Sequence, residues 1–200
     1  MNKLRIGFIL LPVLTFLSCH NASAPAESRA SGTTDTVVKK NYFPVRDFIK
    51  TEISYLDSFP SKIMEYHLRN GKTDSAIINI RKFDQLAGAF LLDDLDSARF
   101  EKRFDETSFL DQTTNLLTFT YSTKDSSFGL RRVDVLAVPD QGNDRVKSIY
   151  LEVSSGRPDS LVLNKMYWRS RESFSILQIY QPSHGEAVIS QTKCVWGSRE

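Results

Sequence analysis

Histidine and cysteine are the side chains best suited to metal binding or nucleophilic chemistry. This chain of 200 residues has three histidines and two cysteines. His20, His67 and His184 lie far apart, and no HExxH or paired-cysteine spacing joins them. His67 alternates with Glu65 and Arg69, as residues on one solvated strand face do. A zinc site is therefore disfavoured, and His67 is interpreted as a surface residue of a strand.

The densest acidic cluster, Asp93, Asp94 and Asp96, could offer carboxylate oxygens to calcium. An EF-hand loop also needs a central Gly and a terminal Glu, and neither is present at the required spacing. The cluster therefore predicts a solvated turn, with Asp96 capping a following helix. The sequence also lacks the GxSxG, GxxxxGK and GxGxxG patterns of nucleophile elbows, phosphate loops and dinucleotide sites. It predicts no enzyme, no cofactor and no metal site.

Aromatic side chains in the second half could bind a partner or an apolar ligand. The adjacent Tyr167 and Trp168 point to opposite faces if their strand is regular, so one of them lies off any face that helices cover. The candidate binding surface comprises Tyr167, Trp168, Tyr180 and Trp196. Ordinary packing of these rings within a sheet is the alternative that the sequence leaves open.

The N terminus has the pattern of a secretory signal peptide. Lys3 and Arg5 precede an uncharged stretch at 6–17, and Ser18-Cys19 follows. The apolar run of about 12 residues is too short for a membrane-spanning helix, which needs roughly 20. We therefore expect residues 1–18 to be a cleaved signal.

Phe16-Leu17-Ser18-Cys19 resembles the lipobox of bacterial lipoproteins of the Bacteroidota type. The resemblance implies that the thiol of Cys19 receives a diacylglyceryl group and that the new amino terminus is acylated. This chain departs from the family pattern by carrying Phe16 where Leu is usual. His20 stands in place of the Asp associated with inner-membrane retention, and no acidic run of the surface-export type follows. The resemblance thus implies an outer-membrane lipoprotein that faces the periplasm.

Cleavage changes both the charge and the cysteine count. Loss of Lys3 and Arg5 would lower the basic count from 26 to 24, equal to the 24 acidic residues. A neutral chain lacks the basic footprint of nucleic-acid binding, so no nucleic-acid partner is expected. Lipidation of Cys19 would leave Cys194 without an intramolecular disulfide partner, and its strand-like segment predicts a buried structural thiol.

The elements that must hold these residues begin after a tether. Residues 19–40 are rich in Ala, Ser and Thr and lack aromatic residues, so we expect a disordered tether with a reach of roughly 25 Å. Residues 41–200 are expected to form a single globular domain.

Three helices and a hairpin are predicted in the first half. Apolar residues recur at helical spacing over 45–56, after Pro44, and again over 81–92. Between them, alternating residues flank Asn70-Gly71, and this pair favours a hairpin because both turn positions need a positive φ. Asp96 would cap the third helix.

The second half predicts strands joined by short turns. The predicted strands are 116–123, 131–138, 146–153, 161–169, 174–180 and 187–196. Short connections favour consecutive antiparallel neighbours. The sequence therefore predicts an α+β fold, in which a meander of five or six strands forms a twisted sheet with helices on one face.

The functional expectation is a non-catalytic, membrane-anchored envelope lipoprotein that binds another envelope component. The alternative is a carrier or sensor of a lipid-like, apolar ligand held in a cavity between sheet and helices. The globular part resembles only uncharacterised envelope lipoproteins, over 111–121 and in the aromatic strands ending at Trp196. That resemblance transfers no functional residue.

Overall fold

The computed structural model describes residues 42–58, 62–140 and 144–197. The described residues belong to one compact unit, Lys39–Glu200. The expected signal peptide, the lipidated Cys19 and the tether lie outside the described residues. No helix in the described part of the chain is long and apolar enough to span a bilayer.

The described residues form nine strands and three α-helices. The helices are α1 (Val45–Ser58), α2 (Ile80–Ala87) and α3 (Ser97–Arg103), with 3-10 turns at Gly88–Phe90 and Asp93–Leu95. The strands are β1 (Ile63–Arg69), β2 (Lys72–Ile78), β3 (Asp105–Asp111), β4 (Leu116–Ser122), β5 (Leu130–Val138), β6 (Arg145–Arg157), β7 (Ser160–Arg169), β8 (Ser173–Pro182) and β9 (Val188–Val195).

All nine strands belong to one antiparallel sheet with the order β2-β1-β9-β8-β7-β6-β5-β4-β3. Strands account for 52% of the described residues and helices for 23%. The predicted α+β class is therefore wrong, because the fold is largely β. The six strands predicted in the second half are present, but the sheet is larger than the expected five or six strands. It gains β3 at one edge and the β1–β2 hairpin at the other.

The hairpin forms where Asn70-Gly71 predicted it. Asn70 and Gly71 have φ angles of 50° and 72°, which the tight turn requires. On the edge of β1 that does not pair with β2, β1 pairs antiparallel with β9, from Met64↔Val195 to Arg69↔Ser190. This pairing joins residues far apart in the chain. The first and the last strand of the described residues thus lie side by side, second and third from one edge of the sheet.

One row of directly paired residues shows which side of the sheet is buried. Paired residues point to the same face, and this row crosses seven strands in register: Glu65, Cys194, Phe174, Trp168, Ile149, Val135 and Phe119. The helices pack on this face, with Ile49, Phe83 and Phe90 fully buried in the same cluster as Trp168 and Phe174. The helices cover only one end of the strands, namely the end that carries this row and the rows next to it.

The helices have the local signals that the sequence predicts. The helix predicted over 45–56 is present as α1, and the side chain of Asp96 accepts a hydrogen bond from Ala98 N at 3.2 Å to cap α3. The helix predicted over 81–92 is shorter. It begins at Ile80, because Asn79 caps it by accepting from Lys82 N at 3.0 Å, and it ends at Ala87 before a 3-10 turn.

Cys194 is a buried thiol, as its alternating segment predicts. It is fully buried between β1 and β8, with Glu65 and Phe174 as its directly paired neighbours. Burial raises the pKa of the Cys194 thiol to about 12, and the nearby Glu65 carboxylate adds to the shift. The thiol is therefore neutral and has a packing role.

Candidate binding surfaces

The four aromatic residues predicted to form a binding surface lie in three different places. Trp168 is fully buried and Trp196 is 8% exposed, so both belong to the core and offer no surface to a partner. Tyr167 and Tyr180 are 39% and 40% exposed. These two tyrosines point to opposite faces of the sheet. Tyr167 is adjacent to Trp168 on β7 and therefore points away from the buried face, whereas Tyr180 is an even number of residues from Phe174 on β8 and points to the same face as Phe174. The four rings therefore do not form one site.

Tyr167 lies on the side of the sheet that no described helix covers, which we call the uncovered face. A row of directly paired residues crosses it: Tyr66, Lys193, Ser175, Tyr167, Tyr150, Asp134 and Thr120. Tyr66 is 38% exposed, close to the value for Tyr167. The uncovered face thus presents two exposed tyrosines, Tyr66 and Tyr167, with Lys193 and Ser175 between them.

A polar network fills the centre of the uncovered face. Arg132 Nε donates to both carboxylate oxygens of Asp134, at 2.9 and 3.0 Å, and Thr120 donates to the same carboxylate at 2.8 Å. Tyr150 donates to Glu152 at 2.9 Å. Burial, together with the bonded Glu152, raises the pKa of Tyr150 to about 12, and the bonded Asp134 raises the pKa of Arg132. Both groups therefore keep their protons, and the network is fixed over the physiological pH range.

The part of the uncovered face formed by β7, β8 and β9 is basic. The strands β7, β8 and β9 contain no Asp or Glu, but their uncovered side carries Lys165, Arg169 and Lys193. Arg169 pairs with Glu172 at 3.3 Å, while no acidic group of the described residues lies within ion-pair distance of Lys165 or Lys193. Lys193 is thus available to an acidic group of a partner, whereas Lys165 has Glu152 as its directly paired neighbour on the same face.

An aliphatic stripe flanks the tyrosines toward the far ends of β7, β8 and β9. Ile189, Ile179 and Leu163 are directly paired across the three strands, and Ile189 is 50% exposed. Leu161, two residues from Leu163 on the same face, is 46% exposed. The uncovered face therefore combines apolar, aromatic and basic side chains over neighbouring strands.

The second open surface lies on the opposite face, beyond the end of the helices. We call it the His67 cleft. It is an open depression of about 780 Å³ on β1, β2, β8 and β9. The side chains of its floor point to the same face of the sheet as the buried row, but lie farther along the strands, beyond the helices. They are His67, Arg69, Asp74, Gln178, Tyr180, Val188, Ser190 and Thr192.

His67 is held by contacts on both sides of its ring. Its Nε2 lies 2.8 Å from Oε1 of Glu65, and its Nδ1 lies 3.2 Å from the Thr192 hydroxyl. The expectation that Glu65 shares a solvated face with His67 is wrong, because the Glu65 side chain is 7% exposed and His67 is 51% exposed. Glu65 Oε1 accepts no hydrogen bond of good geometry from the described residues, so the approach of His67 Nε2 is a close contact and not a hydrogen bond.

The sequence gives no local signal for this arrangement. Thr192 lies 125 residues from His67, and the pairing of β1 with β9 brings them together. An acid, an imidazole and a hydroxyl in contact could exchange a proton with a ligand. Among the described residues, no group of three or more His, Cys, Asp or Glu side chains could hold a metal ion.

Aromatic rings fill the space between helices and sheet in the described residues. Trp168 stacks on Phe174 with centroids 5.4 Å apart, Phe90 contacts Trp168 edge-on at 5.1 Å, and Phe83 contacts Trp196 edge-on at 5.0 Å. The two surfaces described above therefore lie on the outside of the sheet. A further open depression of about 910 Å³ lies beside α1, where Phe48 and Glu52 face Val146 and Arg171 at the end of the sheet.

Comparison with known proteins found no family model that matches this chain. No curated protein matched it either.

Proposed function

We propose that this chain is a lipid-anchored protein of the outer membrane, facing the periplasm, whose uncovered face binds another envelope component. The anchor rests on the lipobox resemblance at Cys19 and on the signal-peptide pattern before it. The binding role rests on the composition of the uncovered face, which the described helices leave open.

The pairing of tyrosines with lysines and aliphatic side chains is the observation that supports binding most directly. Tyrosine is enriched at protein interfaces, since its ring buries apolar area while its hydroxyl stays hydrogen-bonded. Tyr66 and Tyr167 are both more than a third exposed and lie in one row with Lys193, which is directly paired with Tyr66 and separated from Tyr167 by Ser175. The aliphatic stripe beside them supplies the apolar part of such an interface. Lys193 favours a partner that presents acidic groups.

The size of the uncovered face also suits a protein partner. A nine-stranded sheet is about 40 Å wide, and seven residues of a strand extend about 24 Å. The face is thus roughly 900 Å², similar to the ~800 Å² per partner of an interface of standard size.

Packing favours this surface over the alternative of a lipid-like ligand carrier. A carrier needs an apolar cavity between helices and sheet, and the described rings fill the centre of that space. The open depression beside α1 is lined by charged side chains such as Asp47, Arg145 and Arg171, which do not suit an acyl chain. Trp168, Phe174 and Phe90 would have to separate before an acyl chain could enter.

Site-specific photo-crosslinking in intact cells tests the proposal. A photoreactive phenylalanine analogue at position 167 or 66 should give a discrete adduct with one partner, while the same analogue at Gln85, exposed on α2, should give none. Lys193→Glu should remove the adduct at position 167, because it places a negative charge against an acidic partner.

Lys102→Glu is the matched control. Lys102 is an exposed lysine on α3, and its charge reversal changes the net charge by the same amount without touching the uncovered face. The adduct should therefore persist in that variant. Equal crosslinking from all positions, or no adduct at positions 66 and 167, would contradict the proposal.

A further inference from the structure

The floor of the His67 cleft has an ordered arrangement in rows that run outward from the core. The first row beyond the buried Cys194 contains His67, Thr192 and Ile176. Arg69, Ser190, Gln178 and Asn164 form the second row, and Val188, Tyr180 and Val162 form the third. Polar groups thus lie between the buried core and an outer aromatic residue.

The charges in the cleft balance each other. Arg69 brings one positive charge and Asp74, directly opposite His67 on β2, brings one negative charge. Neither an anionic nor a cationic ligand is therefore favoured by the net charge of the floor. A neutral ligand fits best.

The uncharged floor side chains can both donate and accept hydrogen bonds. Ser190 and Thr192 supply hydroxyls, Gln178 and its neighbour Asn164 supply amides, and His67 supplies an imidazole. A ligand rich in hydroxyl groups has the same double capacity, so each of its groups can find a partner. An acyl chain would leave these polar groups without hydrogen bonds, at a cost for each one.

Contacts within the floor hold several of these groups in place before any ligand binds. Gln178 Nε2 donates to Asn164 Oδ1 at 3.2 Å, which orients both amides and leaves Gln178 Oε1 and the Asn164 amino group for a ligand. The buried carboxylate of Glu65 and the hydroxyl of Thr192 contact opposite nitrogens of His67. Such preorganisation reduces the entropy that binding must remove.

Tyr180 provides an aromatic platform at the outer end of the cleft. Its side chain is 40% exposed, and its direct neighbours across the sheet are the aliphatic Val162 and Val188. An exposed ring next to hydrogen-bonding groups suits a ligand with one apolar face and polar edges, such as a pyranose ring. The cleft volume of about 780 Å³ lies within the range of roughly 300–1,000 Å³ for small-molecule sites.

We infer that the His67 cleft binds a neutral saccharide, with a sugar ring against Tyr180 and its hydroxyl groups on Gln178, Asn164 and Ser190. This site is separate from the uncovered face, because the two lie on opposite sides of the sheet. It therefore does not depend on the function proposed above.

Binding to defined neutral oligosaccharides tests the inference. The full chain with Cys19→Ser is screened against immobilised neutral tetrasaccharides of glucose, galactose, mannose and N-acetylglucosamine, and the best binder is titrated by calorimetry. At least one probe should bind, and Tyr180→Ala should weaken its binding about tenfold or more, while Tyr180→Phe should retain it. Gln178→Ala should weaken the same binding.

Two controls separate this result from loss of folding and from the other surface. Tyr167→Ala removes a tyrosine of equal exposure on the uncovered face, and Lys193→Glu alters the charge there; both should bind the saccharide as the parent does. Circular dichroism should be the same for all variants. The inference is overturned if no neutral tetrasaccharide binds at millimolar concentration, or if Tyr180→Ala and Tyr167→Ala bind equally well.

Discussion

The carboxylate of Glu52, on α1, accepts a hydrogen bond from the backbone of Arg171 and forms an ion pair with the side chain of the same residue. Arg171 lies 119 positions later, in the turn between β7 and β8. The backbone N–H of Arg171 donates to Oε2 at 2.8 Å, and its Nε lies 3.0 Å from Oε1. Trp168 Nε1 donates to Oε2 as well, at 3.4 Å. Glu52 is 4% exposed, so one buried charge joins the first helix to a turn at the opposite end of the sequence.

Glu52→Gln should lower the free energy of unfolding by about 2 kcal/mol. The amide keeps the volume of the side chain but removes the charge, and hydrogen bonds to charged groups contribute about 1.5–3 kcal/mol. Urea unfolding followed by circular dichroism measures the change. Asp47→Asn is the control on the same helix, where an exposed contact with Lys50 at 3.5 Å should contribute less than about 1 kcal/mol. Equal effects of the two substitutions would show that Glu52 has no special role.

Gly197 is in contact with the same turn and allows no side chain. A Cβ at this position would lie 1.9 Å from the carbonyl oxygen of Arg171, and the backbone N–H of Gly197 donates to Glu172 O at 3.1 Å. Gly197→Ala should therefore lower the free energy of unfolding by about 1–3 kcal/mol. Gly156→Ala is the matched control, because a Cβ there would have no atom within 4 Å. A Gly197→Ala variant as stable as Gly156→Ala would contradict the contact.

Alkaline pH should destabilise the fold through buried groups that stay protonated. Burial raises the pKa of Tyr121 to about 12 and that of Cys194 to about 12, from ordinary values of 10.0 and 9.0. Between these values the unfolded chain releases protons that the folded chain keeps, so the free energy of unfolding falls as the pH rises. The stabilisation is complete below about pH 9 and decreases as the pH approaches 12.

Tyr121 contributes part of the slope of that decrease, together with Cys194 and Tyr150, whose pKa values are also raised to about 12. One tyrosine contributes about 1.4 kcal/mol per pH unit once its unfolded form is ionised. Tyr121→Phe should make the slope between pH 10 and 11 shallower, although it also loses the hydrogen bond from Phe43 N. Tyr180→Phe, which removes an exposed phenol, should leave the slope unchanged. A slope that is the same in Tyr121→Phe and the parent would exclude this explanation.

Local signals explain which elements the sequence could predict. The hairpin at Asn70-Gly71 and the cap at Asp96 depend on residues that are neighbours in the chain. The strand β3 gave no such signal, because it lies at the edge of the sheet and its side chains are mostly exposed. Because neither side of β3 is buried, its residues do not alternate between apolar and polar. The number of strands predicted from the sequence was therefore too small.

Long-range pairing explains what the sequence could not predict about the binding surfaces. The alternation of β1 suggests that Met64 and Tyr66 face the core, but pairing with β9 places Glu65 beside Cys194 on the buried side. Tyr167 and Trp168 are both large, and only the residues paired across β6 and β8 determine that Trp168 is the buried one. These choices depend on residues far away in the chain, so local patterns contain no information about them.

The membrane anchor remains a prediction from the sequence, and Cys19→Ser tests it. Acyl chains contribute about 0.8 kcal/mol for each buried methylene, so loss of the acceptor thiol should release the protein into the soluble fraction. The domain itself should stay folded, because Cys19 is separated from the first described residue, Tyr42, by more than 20 residues. Fractionation after high-salt and carbonate washes measures release, and the unfolding transition of the released chain measures folding. A variant that still sediments with membranes after both washes would show that another segment attaches this protein to the membrane.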